Sequence, residues 1–228
     1  MNTGLLQGFP RESLSARGLY TNETGSTILG DQAHPYVTST NPVIGYQAGQ
    51  SIRDQPAALT SGQNAGRWNT LIGYQAGQAL ATGDSNTFVG YGAGVTATPA
   101  NATTTANSQT LVGRNAGASV TTQPNGITCI GDTATASGGG GTAIGAGSTA
   151  SSSAVAVGFS ATAAASDTVV GEAATGGGSS VVIGQGAGAT TFSSSVLIGL
   201  GAGTSTSTSS QSVLIGNQAG QGGGVQSD

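Results

Sequence analysis

A short apolar motif recurs along almost the whole chain. Each copy has two or three strand-forming residues, then a glycine, two variable residues and usually an alanine. A repeat of 13 to 17 residues is typical of one coil of a β-solenoid. Twelve copies are found, with their glycines at Gly30, Gly45, Gly73, Gly90, Gly113, Gly131, Gly145, Gly158, Gly171, Gly184, Gly199 and Gly216.

The residue just before each glycine, the pre-glycine position, is always Leu, Ile or Val. Two residues earlier, at the strand-entry position, eleven of twelve copies have a β-branched residue. Side chains alternate along a strand, so these two positions share one face. We predict that this face forms the core of the roll. The predicted roll-core residues are Leu29, Ile44, Ile72, Val89, Val112, Ile130, Ile144, Val157, Val170, Ile183, Ile198 and Ile215.

The residue between them, the middle position, points to the opposite face and is also apolar in every copy. A strand with one solvated face alternates apolar and polar residues, so two apolar faces indicate that both are covered. A single solenoid has only one interior. The second face is therefore predicted to pack against sister copies of the chain.

Small residues dominate the segment after each glycine. The third residue is Ala in eleven copies and Ser148 in the other, and the fourth is Gly in seven copies and Thr in four. Such stacked small residues predict a narrow interior or a close approach of chains. The repeat glycine is predicted to supply a positive φ where the chain turns, because glycine within a strand otherwise costs roughly 0.5–1 kcal/mol relative to Ala. Gly, Ser, Thr and Val disfavour a helix.

Composition narrows the function classes. The 228 residues include 41 Gly, only 6% are charged, and the net charge is −4. The chain has no Lys, and its five Arg lie in the first half, so the clustered positive charge of a nucleic-acid site is absent. No charged residue occurs from 173 to 227, which favours burial against a partner.

The single cysteine, Cys129, excludes a disulfide framework and a cysteine-based zinc site. The first ten residues have no basic segment or continuous apolar stretch of a secretory signal. No segment approaches the ~20 apolar residues of a membrane span. We therefore expect no membrane insertion, and synthesis and assembly in a cytosol.

Two kinds of repeat carry a resemblance to known proteins. Residues 141–150 (GTAIGAGSTA) and 154–163 (AVAVGFSATA) resemble head repeats of YadA-type trimeric autotransporter adhesins. Residues 69–77 (NTLIGYQAG) and 86–94 (NTFVGYGAG) are similar to repeats of phage fibres and virion appendages. The resemblance covers about residues 27 to 220. It implies an all-β fold in which each chain forms a left-handed parallel β-roll, here of about twelve short coils, and three rolls associate side by side as a homotrimer.

In such a homotrimer the middle positions are the predicted interface. These trimer-interface residues are Ile28, Val43, Leu71, Phe88, Leu111, Val169, Val182, Leu197 and Leu214. The predicted domains are an anchor at 1–26, the roll at 27–220 and a tail at 221–228. The anchor is richer in bulky and charged residues than the rest, and we expect it to dock on a particle through Phe9, Arg11, Leu14, Arg17 and Tyr20.

The sequence shows no signal peptide, heptad stalk or membrane barrel of a surface autotransporter. We therefore expect a non-enzymatic structural protein of a bacteriophage virion, assembled in the host bacterial cytoplasm. The expected role is a capsid decoration, cement or head-fibre protein that contacts the major capsid protein or a tail component. The alternatives are a receptor-binding tail fibre or bacterial adhesin that binds a host surface glycan, and an ice-binding solenoid based on the Thr/Ser run 204–208.

Candidate chemistry is sparse, and no metal or cofactor is expected. His34 is the only histidine and lacks a nucleophile-elbow motif. Asp167 and Glu172 are the nearest acidic pair in the roll, and we expect solvated turn positions rather than an acid/base pair. The stretch 184–188 (GQGAG) is expected to be repeat sequence rather than a dinucleotide loop, since a strand and no helix follows it. Cys129 lies in the apolar middle position, typical of a small buried residue.

Aromatic residues concentrate in the first half of the chain. They support two interpretations, a binding platform for a host glycan or a neighbouring virion protein, and larger fillers for a wider roll. These residues are Tyr36, Tyr46, Trp68, Tyr74 and Tyr91.

Overall fold

The computed structural model describes residues 19–21, 27–31, 33, 41–52, 66–80, 83–95, 107–118, 125–188, 193–204 and 211–220. Across these ranges the regular elements are sixteen strands of two or three residues and no helix, so no described helix could cross a membrane. The strands are β1 (Leu19–Thr21), β2 (Thr27–Leu29), β3 (Val43–Ile44), β4 (Thr70–Ile72), β5 (Thr87–Val89), β6 (Thr110–Val112), β7 (Thr128–Ile130), β8 (Thr135–Ala136), β9 (Thr142–Ile144), β10 (Thr149–Ala150), β11 (Val155–Val157), β12 (Thr162–Ala163), β13 (Thr168–Val170), β14 (Val181–Ile183), β15 (Val196–Ile198) and β16 (Val213–Ile215).

A long sheet of thirteen strands dominates the fold, in the order β1-β2-β3-β4-β5-β6-β7-β9-β11-β13-β14-β15-β16. From β2 onwards the strands are parallel, and each copy of the repeat supplies one strand. The register places like on like, for example Leu71 beside Phe88 and Ile72 beside Val89. The chain is thus a parallel β-solenoid, as the repeat predicts.

The repeat glycines sit where each strand of the long sheet ends. Their φ angles lie between +128° and +148°, a region that L side chains rarely adopt. From Gly30 to Gly199, a Cβ on any of them would collide with the backbone of the repeat glycine in the next coil. Glycine is therefore required at this position for two reasons, the φ angle of the turn and the close stacking of the coils.

The two faces of the long sheet are the reverse of the sequence expectation. The predicted trimer-interface residues lie inside the single roll. Leu71, Leu197 and Val169 are each 0% exposed, and at this position Leu214 in the last strand is half-buried. The predicted roll-core residues lie outside, with Ile72 at 37% and Ile183 at 39% exposure. The prediction was wrong because both positions are apolar in every copy, and apolar character alone does not say which face is enclosed.

The rest of the interior is built from small residues. The alanine three residues after the repeat glycine is buried in ten of the eleven copies that have it, and Ala219 in the last coil is half-buried. The sequence left two interpretations of these small residues, a narrow interior or a close approach of chains. In the structure they line a narrow interior. A second sheet, in the order β12-β10-β8, covers part of the other side, and a bridge between Thr162 and Thr175 extends it.

Strand β1 is the only part of the predicted anchor and tail that lies among the described residues. Strand β1 belongs to the predicted anchor 1–26, yet it pairs antiparallel with β2, with Tyr20 opposite Ile28. The other predicted anchor residues, Phe9, Arg11, Leu14 and Arg17, lie outside the described residues, as does the predicted tail 221–228.

Candidate interaction surface

The outer face of the long sheet is an apolar surface on the single chain. Its centre is the row of pre-glycine residues from Leu29 to Ile215, one per coil, all half-buried or exposed. At about 4.8 Å per strand, twelve strands extend this row over roughly 50 Å. The row of strand-entry residues, mostly Thr and Val, runs beside it on the same face. We call these two rows together the outer apolar face.

Aromatic rings form a stack along the edge of this face in the coils of β3 to β5. Tyr46 and Tyr74 have ring centroids 5.4 Å apart at 15°, and Tyr74 and Tyr91 are 4.9 Å apart at 6°. The three side chains are 37% to 55% exposed. Because the rings cover one another's faces, they present mainly edges to solvent. The larger-filler interpretation does not apply to these tyrosines, since they lie outside the roll.

Side-chain amides run beside the tyrosine stack. Gln75 Nε2 donates to Gln47 Oε1 at 2.9 Å, and Gln78 Nε2 donates to Gln47 Oε1 and Gln50 Oε1, both at 3.1 Å. Trp68 is 61% exposed with φ +56°, an uncommon backbone conformation for a bulky residue. Tyr36 lies outside the described residues.

A row of polar side chains inside the roll was missed by sequence reasoning. It occupies the corner position, four residues before the repeat glycine. Here the side-chain oxygen of one coil accepts the backbone N–H of the same position in the next coil. In the first half, Asn69 N–H donates to Asn41 Oδ1 at 2.6 Å, and Asn86 N–H donates to Asn69 Oδ1 at 3.0 Å. The recurrence of Asn, Gln, Asp and Ser at this spacing was the available signal.

The same bond returns in the second half of the roll. Ser180 N–H donates to Asp167 Oδ1 at 2.7 Å, and Ser195 N–H donates to Ser180 Oγ at 3.2 Å. Asp167 also accepts N–H groups from Ala164 and Gly178. This carboxylate is 1% exposed and fully used as an acceptor within the fold. The expectation of a solvated turn position was therefore wrong for Asp167, whose polar neighbours replace water.

The other candidate residues do not assemble into a reaction centre. Glu172 is exposed and accepts a bond from Gln185 at 3.0 Å, whereas Asp167 lies inside the roll. The stretch 184–188 forms a turn that hydrogen-bonds to neighbouring coils rather than opening a helix. His34 lies outside the described residues. Within the described ranges, no three His, Cys, Asp or Glu side chains lie together as metal ligands.

Cys129 is 0% exposed in the middle of β7. Burial raises the pKa of its thiol to about 11, and a hydrogen bond with the backbone of Ala136 opposes this shift. A thiol with such a pKa is almost entirely protonated near neutral pH and is a poor nucleophile. Its role is that of a buried apolar side chain, as the sequence predicts.

Comparisons of the chain with protein-family models, with curated proteins and with solved structures found no match.

Proposed function

We propose that this protein is a non-enzymatic structural component of a bacteriophage virion, in which three copies associate as a trimeric β-roll. Its role is that of a capsid decoration, cement or head-fibre protein, which docks through its N-terminal segment onto the major capsid protein or a tail component. Assembly takes place in the host bacterial cytoplasm. The proposal needs no cofactor, nucleic acid or membrane.

The observation that carries this proposal is the outer apolar face. Twelve Leu, Ile or Val side chains stand in an unbroken row, and each is half-buried or exposed in the single chain. Monomeric proteins rarely expose continuous apolar patches above a few hundred Å². Covering the row with sister copies removes this surface from water, at roughly 25 cal/mol per Å². The proposed assembly is still the homotrimer expected from the sequence. Its interface, however, is the outer apolar face instead of the middle positions.

Aliphatic burial has to supply most of the association energy, because charges are scarce. In the described residues the ion pair found is Arg114 with Asp132, and both side chains are substantially exposed. Surface pairs of this kind contribute about 0–1 kcal/mol. A trimer held by this face should therefore depend little on salt.

The assembly is tested by substituting one residue of the row. Ile183→Asp places a carboxylate on the outer apolar face without entering the core, whereas Leu71 and Leu197 lie inside and would test folding instead. We expect light scattering to give three chain masses for the wild type, and monomers or aggregates for Ile183→Asp, with the β-type circular dichroism of the soluble fraction retained. Ser153→Asp is the matched control, because Ser153 is exposed, lies outside the strands and precedes the corner position of its coil, and this variant should remain trimeric. A wild type that stays monomeric at micromolar concentration would refute the assembly.

The location is tested on intact particles. Gold-labelled antibodies against the roll should decorate the capsid in electron micrographs of the virion. Labelling confined to the tail would favour a receptor-binding fibre, and labelling of neither would contradict a virion role.

A receptor-binding fibre, spike or adhesin is the second candidate. The exposed Trp68 and the hydroxyl-bearing edge of the tyrosine stack favour it, because amphipathic aromatic side chains are enriched in binding surfaces. Binding of the purified protein to host cells or their glycans, lost in Trp68→Ala, would support this candidate. Binding to purified capsids alone would support decoration.

A further inference from the structure

The tyrosine stack places three phenol rings on consecutive coils of the roll. Tyr74 is 28 residues after Tyr46 and 17 residues before Tyr91, yet its ring stacks on both of the others. The backbone holds this register, because Tyr46 O accepts the Gln75 N–H and Tyr74 O accepts the Gly92 N–H, both at 2.8 Å. The three tyrosines therefore leave equivalent points of their coils, which are about 4.8 Å apart.

Stacking brings the reactive atoms of neighbouring phenols together. The rings of Tyr74 and Tyr91 are nearly parallel, at 6°, and their centroids are 4.9 Å apart. A phenol that loses one electron and its hydroxyl proton becomes a phenoxyl radical, in which the ring carbons Cε1 and Cε2 share the unpaired electron. Exposed side chains move on the picosecond to nanosecond timescale, so a small tilt of two such rings brings their Cε atoms into contact.

The stack is open to an oxidant from solution. The side chains of Tyr46, Tyr74 and Tyr91 are 37%, 40% and 55% exposed. An exposed thiol would compete for the oxidant, but the single cysteine of the chain, Cys129, is 0% exposed. A single cysteine also gives the chain no internal disulfide, so coupling of the tyrosines is the covalent link between coils that this geometry offers.

We propose that the tyrosine stack is an oxidative modification site, at which a dityrosine bond joins neighbouring coils, mainly through Tyr74 and Tyr91. Each phenol gives up one electron and one proton, and the two radicals form a bond between their Cε carbons. Each bonded carbon then loses its hydrogen as a proton, and each oxygen regains one to restore the phenol. The oxidant is hydrogen peroxide used by a haem peroxidase, and each peroxide takes up the two electrons and two protons to give two waters.

The bond would act as a staple along the roll. Each coil of a solenoid contacts only its neighbours, so a covalent link between two coils opposes their separation. A bond between residues 17 positions apart also restricts the unfolded chain, as a disulfide does. This inference does not depend on the proposed trimer, because both tyrosines belong to the same chain.

Peptide mapping tests the proposal. The wild type is treated with a haem peroxidase and hydrogen peroxide, and the product is cleaved with trypsin, which cuts after arginine. Tyr74 and Tyr91 remain together in the peptide 68–114, whereas Tyr46 lies in the peptide 18–53. We expect peptide 68–114 to lose the mass of two hydrogen atoms and to gain dityrosine fluorescence without joining a second peptide. The yield per chain should not change on dilution, because the reaction is intramolecular.

Tyr74→Phe and Tyr46→Phe are matched variants that keep an aromatic ring at each position of the stack. Tyr74→Phe removes the phenol shared by both pairs and should abolish the loss of two hydrogens from peptide 68–114. Tyr46→Phe retains the closer pair and should form the bond as the wild type does. Oxidation of the exposed Trp68 adds oxygen to the same peptide, so it is distinguished by mass and reports equal exposure of both variants to the oxidant.

Two results would overturn the proposal. One is oxidation of Trp68 in the wild type with no dityrosine in peptide 68–114. The other is dityrosine found only in covalent chain dimers on a denaturing gel, which would place the coupling between chains. If the bond forms, the oxidised wild type should melt at a higher temperature than oxidised Tyr74→Phe. A wild type that is monomeric in light scattering would refute the trimer and leave this result unaffected, so the two failures are distinguishable.

Discussion

Two regions of one solenoid solve the same packing problem with different residues. In the large-filler coils, those of β4 to β6, the middle position holds Leu71, Phe88 and Leu111. In the small-filler coils, those of β7, β9 and β11, it holds Cys129, Ala143 and Ala156. All six side chains are at most 1% exposed, so both regions are filled inside.

The difference in size at the middle position is compensated by the fourth residue after the repeat glycine. In the large-filler coils this residue is glycine with positive φ, and a Cβ on Gly94 would lie 2.6 Å from Phe88 Cε2. In the small-filler coils it is Thr135, Thr149 or Thr162, which start the strands of the second sheet. In these six coils a large filler thus occurs with glycine opposite it, and a small filler occurs with threonine and a second sheet. Constant interior volume links the two positions.

The largest expected effect comes from the position that both regions share. Gly90→Ala and Gly145→Ala each place a Cβ against the backbone of the next coil at a φ above +125°. The collision cannot be relieved by a side-chain rotation, so we expect a loss above 4–5 kcal/mol, enough to prevent folding in either region. Circular dichroism and solubility measure the outcome. If one variant folds with a native melting temperature, stacking is not equally tight in the two regions.

The next largest effect tests the volume link itself. Gly94→Thr should cost about 2–4 kcal/mol, because its side chain enters the space of Phe88, and Phe88→Ala should cost about 3–5 kcal/mol through a cavity. The double variant has the residue types of the small-filler coils, and the strain of a threonine at φ +66° cancels in the coupling because it is present with either residue at position 88. We expect it to be at least 1 kcal/mol more stable than the sum of the single losses predicts, as measured by denaturant unfolding.

The control for this cycle pairs Gly94→Thr with Leu111→Ala, whose cavity belongs to the next coil. Gly94 meets three atoms of the Phe88 ring as its nearest neighbours, and Leu111 is not among them. The coupling should therefore be smaller in this second cycle. Equal coupling in both would show that the interior adapts as a whole rather than coil by coil.

The repeat predicted the strands, their parallel stacking and the turn glycines, because these depend on local residue types at fixed spacing. The repeat did not indicate which face of the strands lies inside the roll. In the large-filler and small-filler coils the middle position varies from Ala143 to Phe88, and its size opposes that of the fourth residue after the glycine. The pre-glycine position keeps to Leu, Ile or Val with no such compensation. Only an enclosed position has to conserve volume with its neighbours, so covariation of size, rather than apolar character, was the decisive signal.

The corner position distinguishes the regions further. It holds Asn69 and Asn86 in the large-filler coils, and Gly141 and Ala154 in the small-filler coils. Polar residues at a turn are usually read as solvated, so the buried row could not be recognised from polarity alone. The polar side chains are buried because the backbone N–H groups enclosed at these corners each need a hydrogen-bond acceptor where water is excluded.

Asn69→Ala should therefore cost about 2–3 kcal/mol. It removes the acceptor of the Asn86 N–H and the Asn69 Nδ2–H donor to Gly83 O, at 3.0 and 2.9 Å. Ala154→Asn is the reciprocal change, and it buries an amide in a corner that has no polar row. If Ala154→Asn were neutral in chemical denaturation, the small-filler corner would have spare hydrogen-bonding capacity, contrary to this account.

The smallest effect at neutral pH is expected at Cys129, where the two regions meet. Cys129→Ala makes this coil like those of Ala143 and Ala156, and should cost about 1 kcal/mol or less near pH 7. Alkaline pH separates the two proteins. The pKa of the thiol rises from 9.0 to about 11 on folding. Above pH 9 the unfolded chain therefore releases a proton that the folded chain retains, and the stability of the wild type falls as pH rises towards 11.

Two pKa units correspond to roughly 2–3 kcal/mol, so the wild type should lose stability relative to Cys129→Ala by about this amount between pH 9 and pH 11. Below pH 9 the difference should not depend on pH. Urea unfolding of both proteins at matched pH measures it, and groups common to both cancel. Parallel stability curves across this range would mean that the thiol reaches solvent in the folded chain, and that the junction between the two regions is less tightly packed than either.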